Sequence, residues 1–174
     1  MGIQFETDYN METLTAMAKG LRKTVRKKRS HRVHIFAAVV LILGLLTILA
    51  TVAGGEPLGA SGVVTLLAML VVILVSLFED KLNAWFARKR LLPGTEHAVA
   101  TFEEDGYVSA TGVTESRFSY AQIVAVAETA RYFVFALSSH HTQAYDKRTI
   151  RGGSVEDFRA FIAEKAGKLV ENIK

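Results

Sequence analysis

The stretch "VHIFAAVVLILGLLTILATVAGG" (residues 33–55) runs for 23 positions without Lys, Arg, Asp or Glu. After Glu56, the stretch "PLGASGVVTLLAMLVVILVSLF" (residues 57–78) runs for another 22 positions without a charge. An α-helix rises about 1.5 Å per residue, so about 20 apolar residues cross the ~30 Å hydrocarbon core of a bilayer. The two stretches therefore predict transmembrane helices over about residues 33–53 and 62–78.

The alternative is a pair of core helices inside a soluble domain. The chain has 174 residues, of which 50% are hydrophobic, and its mean hydropathy is +0.24. In a domain of this size, the remaining residues are too few to bury two helices that are apolar on every side. The linker "GGEPLGASG" (residues 54–62) carries the Gly and Pro of a tight turn. We therefore expect a membrane hairpin.

Lys and Arg are concentrated at one end of this hairpin. Residues 19–32 contain eight of them, residues 81–90 contain four, and the linker contains none. Because positive residues stay on the cytoplasmic side, we expect a multi-pass membrane protein with both termini in the cytoplasm. The juxtamembrane basic residues are Arg22, Lys23, Arg26, Lys27, Lys28, Arg29, Arg32, Arg88, Lys89 and Arg90.

The basic stretch "LRKTVRKKRSHR" (residues 21–32) resembles a nucleic-acid-binding arm when it is considered alone. However, Leu14, Met17, Leu21 and Val25 recur at helical spacing, and Asn10 is a suitable N-cap. The pattern predicts a basic amphipathic helix that begins near Met11 and runs toward the first span. Because this helix lies next to the bilayer, we expect its cations to set the membrane topology and to contact anionic lipids. We expect no nucleic-acid partner. Trp85 is the expected interfacial anchor after the second span.

After "LLPG" (residues 91–94) the pattern changes to short strands joined by turns. Asp105-Gly106 is a hairpin-turn signal, and about five strands follow one another to residue 148. A final helix is expected to open at Ser154 as N-cap. Its apolar stripe is expected to contain Val155, Phe158, Phe161, Ile162, Leu169 and Ile173.

These segments predict a membrane protein of the α+β class. Residues 1–32 form an N-terminal strand and amphipathic helix, residues 33–90 form the transmembrane hairpin with its interfacial exit, and residues 91–174 form a cytoplasmic domain. In that domain an antiparallel sheet is closed by the C-terminal helix.

The order of these parts resembles the YcxB-like family of bacterial membrane proteins. The resemblance lies in "IQFETDY", "FEEDGYVSATG", "FSYAQIVAVAETARYFVFAL" and "DKRTIRGGSVEDFRAFI". It implies a pleckstrin-homology-like (PH-like) cytoplasmic domain, a bacterial inner-membrane location and no established enzymatic activity. It also suggests that residues 3–7 form a strand that adds to the cytoplasmic domain.

The residues that could perform chemistry do not form a recognisable pattern. The chain has no cysteine, so it has no disulfide, thiol nucleophile or Cys-based zinc site. His31, His34, His97, His140 and His141 lack the spacing of a metal site. The sequence has no nucleophile elbow, phosphate loop or dinucleotide fingerprint. We therefore expect no catalytic residues, no metal and no cofactor.

The segment "DKRTIRGGS" (residues 146–154) is the most site-like passage. It places three cations and two glycines before a helix N-terminus, where free N–H groups and the helix dipole favour anions. The simpler interpretation, which we prefer, is a flexible loop that ends in an ordinary helix cap. The candidate residues for an anion or lipid headgroup are Lys147, Arg148, Arg151, Gly152, Gly153 and Ser154.

The sequence thus favours a non-enzymatic protein-binding or regulatory module anchored in the membrane, with a protein partner or a second copy of the chain as its ligand. Recognition of an anionic phospholipid headgroup at the membrane surface is the first alternative. A membrane-bound enzyme of unknown reaction is the second.

Overall fold

A computed structural model describes residues 2–173 of the chain. One strand and four helices come first. They are β1 (Ile3–Asp8), α1 (Met11–Lys23), α2 (Lys27–Ala53), α3 (Ala60–Leu77) and α4 (Glu79–Lys89). Seven further strands and one helix follow. They are β2 (His97–Phe102), β3 (Tyr107–Thr111), β4 (Glu115–Phe118), β5 (Ala125–Glu128), β6 (Tyr132–Ala136), β7 (Thr142–Asp146), α5 (Val155–Ala166) and β8 (Val170–Asn172).

The helices α2 and α3 are long and apolar enough to cross a membrane. Their most apolar windows have mean hydropathies of 2.9 and 2.6, and neither helix contains a buried residue. The two helices pack against each other, and a Cβ added at Gly44 of α2 would lie 2.8 Å from Met69 Sδ of α3. From Val33 onward this helix pair is apolar on every side, and its apolar windows are not buried by any other part of the described residues, which suits a lipid environment.

The amphipathic helix is separate from the first long helix. α1 ends at Lys23, and residues 24–26 form a turn in which the Thr24 hydroxyl donates to the Gly20 carbonyl at 2.7 Å. Leu14 and Leu21 of its apolar stripe are buried, because α1 packs between strands β6 and β7 on one side and α4 on the other. The sequence placed this helix beside the membrane surface, and the structure shows that protein covers Leu14 and Leu21 of its apolar stripe.

The first sheet joins the two ends of the chain's apolar hairpin. Its strand order is β1-β2-β3-β4, and β1 pairs with β2 in an antiparallel register from Ile3 opposite Phe102 to Asp8 opposite His97. The strand expected over residues 3–7 is present. The sheet therefore contains strands from both sides of the hairpin. The sequence-based domain boundary at residue 91 had placed β1 outside the cytoplasmic domain.

The second sheet has the strand order β7-β6-β5-β8. Strands β5, β6 and β7 are antiparallel, and β8 lies parallel to β5 at the sheet edge. Six strands, β2 to β7, lie between residues 95 and 148, where the sequence predicted about five. The added strand β8 follows the last helix, in a stretch that the sequence assigned to that helix. The turn at Asp105-Gly106 is a four-residue loop over residues 103–106, closed by a hydrogen bond from Glu103 N to Gly106 O of 2.8 Å.

An aromatic core fills the space between the two sheets and α5. Its largest members are no more than 1% exposed and meet mostly edge to face, as in the contact of 4.7 Å between the ring centres of Phe5 and Phe158. The central aromatic residues are Phe5, Phe102, Tyr107, Phe133, Phe135 and Phe158. Because β1 contributes Phe5 to this core, the N-terminal strand is part of the folded domain.

The final helix is shorter than its apolar pattern indicates. α5 begins after the Ser154 cap, as expected, but it ends at Gly167, which has a left-handed φ of 60°. Val155, Phe158, Phe161 and Ile162 lie on the helix and pack into or against the core. Leu169 lies beyond its end and is 89% exposed, while Ile173 is buried after β8. The left-handed residue breaks the helical phase, which is why the last two apolar positions leave the stripe.

Candidate functional site

Lys147, the first cation of the candidate anion site, faces a buried carboxylate. Its Nζ donates to Glu128 Oε1 at 2.9 Å and to the Thr129 carbonyl at 2.7 Å. Glu128 also accepts from Arg159 of α5, with distances of 2.7 Å from Nε and 2.8 Å from Nη2. Hydrogen bonds from Arg159 lower the pKa of Glu128 to about 2. Burial alone would raise this pKa, and Lys147 lowers it further. Lys147 thus ties β7 to β5.

Arg148, the second cation, pairs with Asp146. Its Nη2 lies 3.0 Å from Asp146 Oδ2, and Arg131 Nη2 donates to the same oxygen at 2.9 Å. Burial raises the pKa of Asp146, but hydrogen bonds from Arg148 and Arg131 outweigh it and lower the pKa. Arg131 also contacts Glu12 of α1. This cluster therefore fastens α1 to the sheet.

Arg151, the third cation, is held against β1. Its Nη2 lies 3.0 Å from Glu6 Oε1, and its backbone exchanges two hydrogen bonds of 2.9 Å with Gln4. The three cations are therefore each paired with a carboxylate of the domain itself. They are not brought together around a common cavity.

The two glycines allow the chain start to approach this loop. Gly152 has a φ of 83°, and a Cβ at this position would lie 2.5 Å from the Gly2 carbonyl oxygen. A Cβ at Gly153 would contact Ile3 at 3.4 Å. Ser154 forms a capping box with Asp157, whose N–H donates to Ser154 Oγ at 3.0 Å. The geometry thus accounts for all three residues through local structure.

The juxtamembrane basic residues form a different arrangement. A cavity of about 490 Å³ lies between α1, α2, α4 and the β6–β7 hairpin, at the foot of the two apolar helices. Glu79 is its one acidic lining residue within the described part of the chain, and Val33 and Phe86 add apolar surface. The basic residues that line it are Arg22, Arg26, Arg29 and Arg90.

Arg22 is the neutralised member of this group. Its Nε and Nη2 donate to the two carboxylate oxygens of Asp80 at 2.7 and 2.6 Å. Asp80 raises the pKa of Arg22, which keeps the pair charged. Glu79 lies 3.8 Å from Arg22 and 3.7 Å from His34 Nε2. Glu79 and Asp80 did not emerge as functional positions from the sequence, although they and Glu56 are the only acidic residues between positions 13 and 95.

Arg26 reaches the sheet domain. Its Nε donates to the Ser139 carbonyl at 2.6 Å, and its Nη2 lies 2.9 Å from His140 Nδ1. These partners are more than 110 positions away along the chain, and no local pattern connects them. The contact holds the β6–β7 hairpin over the cavity.

The remaining juxtamembrane cations lie outside this cavity. Lys89 Nζ stands 3.6 Å from the ring centre of Trp85, which packs edge to face on Phe86. The Trp85 side chain is 44% exposed on α4. Its role as an interfacial anchor stays a prediction. The others are exposed: Lys23, Lys27, Lys28, Arg32 and Arg88.

The histidines are dispersed over the structure. His97 Nδ1 lies 2.7 Å from Asp8 Oδ1, His34 faces Glu79, and His140 faces Arg26. Within residues 2–173, no three His, Asp or Glu side chains converge on a point where a metal ion could bind.

The outer edge of β5 is the second notable surface. It is covered by β8, a strand of three residues that pairs in parallel from Val126 opposite Val170 to Glu128 opposite Asn172. Ile173 N donates to the Glu128 carbonyl at 2.8 Å, and the Ile173 side chain is buried beside α1. Glu171 and Asn172 are exposed. The C-terminal segment thus occupies a sheet edge, where Val170 packs against the aromatic core and Ile173 is its buried side chain.

Comparison with known proteins supports the family resemblance. The family model described as "YcxB-like protein" matches residues 102–162. These residues extend from the end of β2 to Ile162 of α5 and include most of the aromatic core. No curated protein and no solved structure matches the chain.

Proposed function

Starting from a chain whose residues 102–162 match the YcxB-like family, we propose that this is a two-pass inner-membrane protein with a PH-like cytoplasmic domain. We propose that the domain acts as a non-enzymatic protein-binding or regulatory module. Two packed, mostly antiparallel sheets and a C-terminal helix support the PH-like assignment, and the two long apolar helices support the membrane location. The basic residues at one end of the hairpin support a cytoplasmic position for both termini.

The β5 edge is the observation that carries the protein-binding proposal. A sheet edge presents unpaired N–H and C=O groups that an extended segment of another protein can bind by strand addition. Here the chain's own three-residue strand fills that place, and its anchoring side chain is Ile173. A partner segment that pairs with all four residues of β5 also covers Ala125, which β8 leaves unpaired on this edge. The partner therefore exchanges with β8 at this edge.

Site-specific photo-crosslinking in native membranes tests this proposal. A photoreactive amino acid at Val124, which is exposed and directly precedes β5, should give a discrete crosslinked protein. The same group at Val113, in the exposed loop between β3 and β4, should not give that species. The change Ile173→Asp places a charge in a buried apolar site and should release β8, so the crosslink yield should rise.

The matched control is a charge at Asn172, which is already exposed. Asn172→Asp should leave the yield within twofold of the unmodified chain. Equal crosslinks from positions 124 and 113, or a yield that falls when β8 is released, would contradict binding at the β5 edge.

A further inference from the structure

We propose that the cavity at the foot of the hairpin binds the headgroup of an anionic phospholipid through Arg26, Arg29 and Arg90. This inference shares only the membrane location with the proposed function and needs no protein partner. It also moves the anion-binding role away from residues 147–154, where the cations are already paired.

The first argument is the balance of charge in the cavity. Within residues 2–173, no carboxylate lies within ion-pair distance of Arg26, Arg29 or Arg90, whereas Arg22 is neutralised by Asp80. Glu79 is the one acid in the lining, and it faces Arg22 and His34. The cavity therefore carries a surplus of positive charge. Guanidinium groups match phosphate oxygens in geometry and charge.

The second argument is the position of the cavity along α2. Arg29 and Val33 are one helical turn, about 6 Å, apart on the same face of the helix. Val33 is the first residue of the long uncharged stretch, and both side chains line the cavity. The site therefore spans the boundary between the polar and the apolar parts of the helix. A phosphate held there lies at headgroup depth.

The third argument is an apolar continuation of the cavity. A groove of about 450 Å³ shares Arg29 and Val33 with it and extends to Arg32 and Phe36. A phosphate at the arginines would thus place its attached chain on Val33 and Phe36. A polar cavity that continues into an apolar groove on a membrane-facing helix suits a phospholipid better than a free phosphate, which has no apolar part.

The structure also shows how the site is held open. Arg26 uses two N–H groups on Ser139 and His140, so its guanidinium plane is fixed by the β6–β7 hairpin. The Arg22–Asp80 pair joins α1 to α4 on the other side. The walls are therefore set by contacts that do not involve a ligand, which lowers the ordering cost of binding.

Native mass spectrometry of the full-length protein in a neutral detergent tests the assignment. We expect phosphatidylglycerol to bind at least tenfold more tightly than phosphatidylcholine. The triple change Arg26→Gln, Arg29→Gln and Arg90→Gln should weaken phosphatidylglycerol binding at least tenfold, since each cation at the membrane surface contributes severalfold to affinity. Because Arg26 also contacts the hairpin, the double change Arg29→Gln and Arg90→Gln should by itself give at least a fivefold loss.

The matched control removes the same charge from exposed positions outside the cavity. Lys23→Gln, Lys28→Gln and Arg88→Gln should change binding by less than threefold. A charge-neutral variant, Ala87→Trp, fills the cavity from α4 and should also weaken binding at least fivefold. Equal losses from the two triple variants would show a diffuse charge effect and overturn the site.

A competition experiment distinguishes a site for phospholipid from a site for any free phosphate. Glycerol 3-phosphate, which carries the phosphate without acyl chains, should displace phosphatidylglycerol only at concentrations at least 100-fold higher than the lipid. Displacement at equal concentrations would show an anion site without lipid specificity. Similar binding of phosphatidylcholine and phosphatidylglycerol would likewise overturn the proposal.

Discussion

Glu128 is the residue whose charge state most directly affects the sheet domain. Its side chain is only 6% exposed, and it joins Arg159 of α5 and Lys147 after β7 to strand β5. Its pKa is about 2 in the folded protein, below its ordinary value of 4.5. Because the folded-state pKa is the lower one, the stabilisation is complete above about pH 4.5. It is lost as the pH falls from there toward 2.

At the residue scale we predict that Glu128→Gln lowers the free energy of unfolding at pH 7 by about 3 kcal/mol, because one pKa unit corresponds to about 1.4 kcal/mol. The difference from the unmodified protein should shrink by more than half between pH 5 and pH 3. Thermal-unfolding midpoints of the detergent-solubilised protein over this pH range measure both effects.

The control for Glu128 is Glu103→Gln. Glu103 pairs with Arg117 at 3.0 Å, but both side chains are more than half exposed. Exposed pairs contribute little, so this change should alter the free energy of unfolding by less than about 1 kcal/mol. A difference between Glu128→Gln and the unmodified protein that is constant from pH 7 to pH 3 would contradict the assigned pKa.

At the element scale, α1 is the part that connects the sheets to the apolar hairpin. It lies against β6 at Gly20, where an added Cβ would be 2.7 Å from Val134 Cγ1 and 3.0 Å from Val134 Cβ. Val134 is β-branched and 1% exposed, so it has little room to move. The glycine therefore sets how closely the helix approaches the strand.

We predict that Gly20→Ala destabilises the protein by about 1–2 kcal/mol. Overpacking costs about 1–3 kcal/mol, and the better helix propensity of alanine offsets up to about 1 kcal/mol of that cost. Combining Gly20→Ala with Val134→Ala should cost less than the sum of the two single changes, because the second substitution removes the clash. A double-mutant cycle of unfolding midpoints measures this coupling.

Gly44→Ala in α2 is the control for Gly20→Ala, because it also adds a methyl group at a close contact between two elements. Its Cβ would meet Met69 Sδ at 2.8 Å, but a methionine side chain can move aside. Its effect should be less than half that of Gly20→Ala. Additive behaviour of the Gly20 and Val134 substitutions would contradict the close packing of α1 on β6.

At the scale of the whole molecule, the apolar hairpin is inserted into a sheet. β1 precedes it, β2 follows it, and the two strands pair over six residues. Both ends of the hairpin must therefore leave a bilayer on the same side. The charge distribution makes that side the cytoplasm in our proposal.

We predict that a phosphatase reporter, which is active only outside the inner membrane, is inactive when fused after the last residue. The same reporter inserted at Glu56, in the loop between α2 and α3, should be active. Phosphatase activity of the two fusions in a bacterial host measures the topology. An active C-terminal fusion with an inactive fusion at Glu56 would reverse the orientation.

Much of the local structure could be predicted from the sequence. The two apolar helices were evident from their uncharged stretches, and the Asn10 and Ser154 caps from residue type and spacing. The resemblance to the YcxB-like family was recognised from turn and core positions, and the family model matches the chain over residues 102–162. These features depend on contacts between residues close in the chain, which a periodic pattern or a cap reports directly.

The tertiary structure alone decided which residues meet. The sequence determined that residues 11–23 form an amphipathic helix. The apolar stripe of that helix is equally suited to contact lipid or protein. Only the fold shows that a sheet and α4 pack against the stripe. Likewise, the cations at 147, 148 and 151 and those at 26, 29 and 90 have similar local settings. The first group meets the carboxylates of Glu128, Asp146 and Glu6, and within residues 2–173 the second group meets none. The pair of Arg151 with Glu6 joins residues from opposite ends of the chain, so it depends on three-dimensional packing, which local sequence patterns do not report.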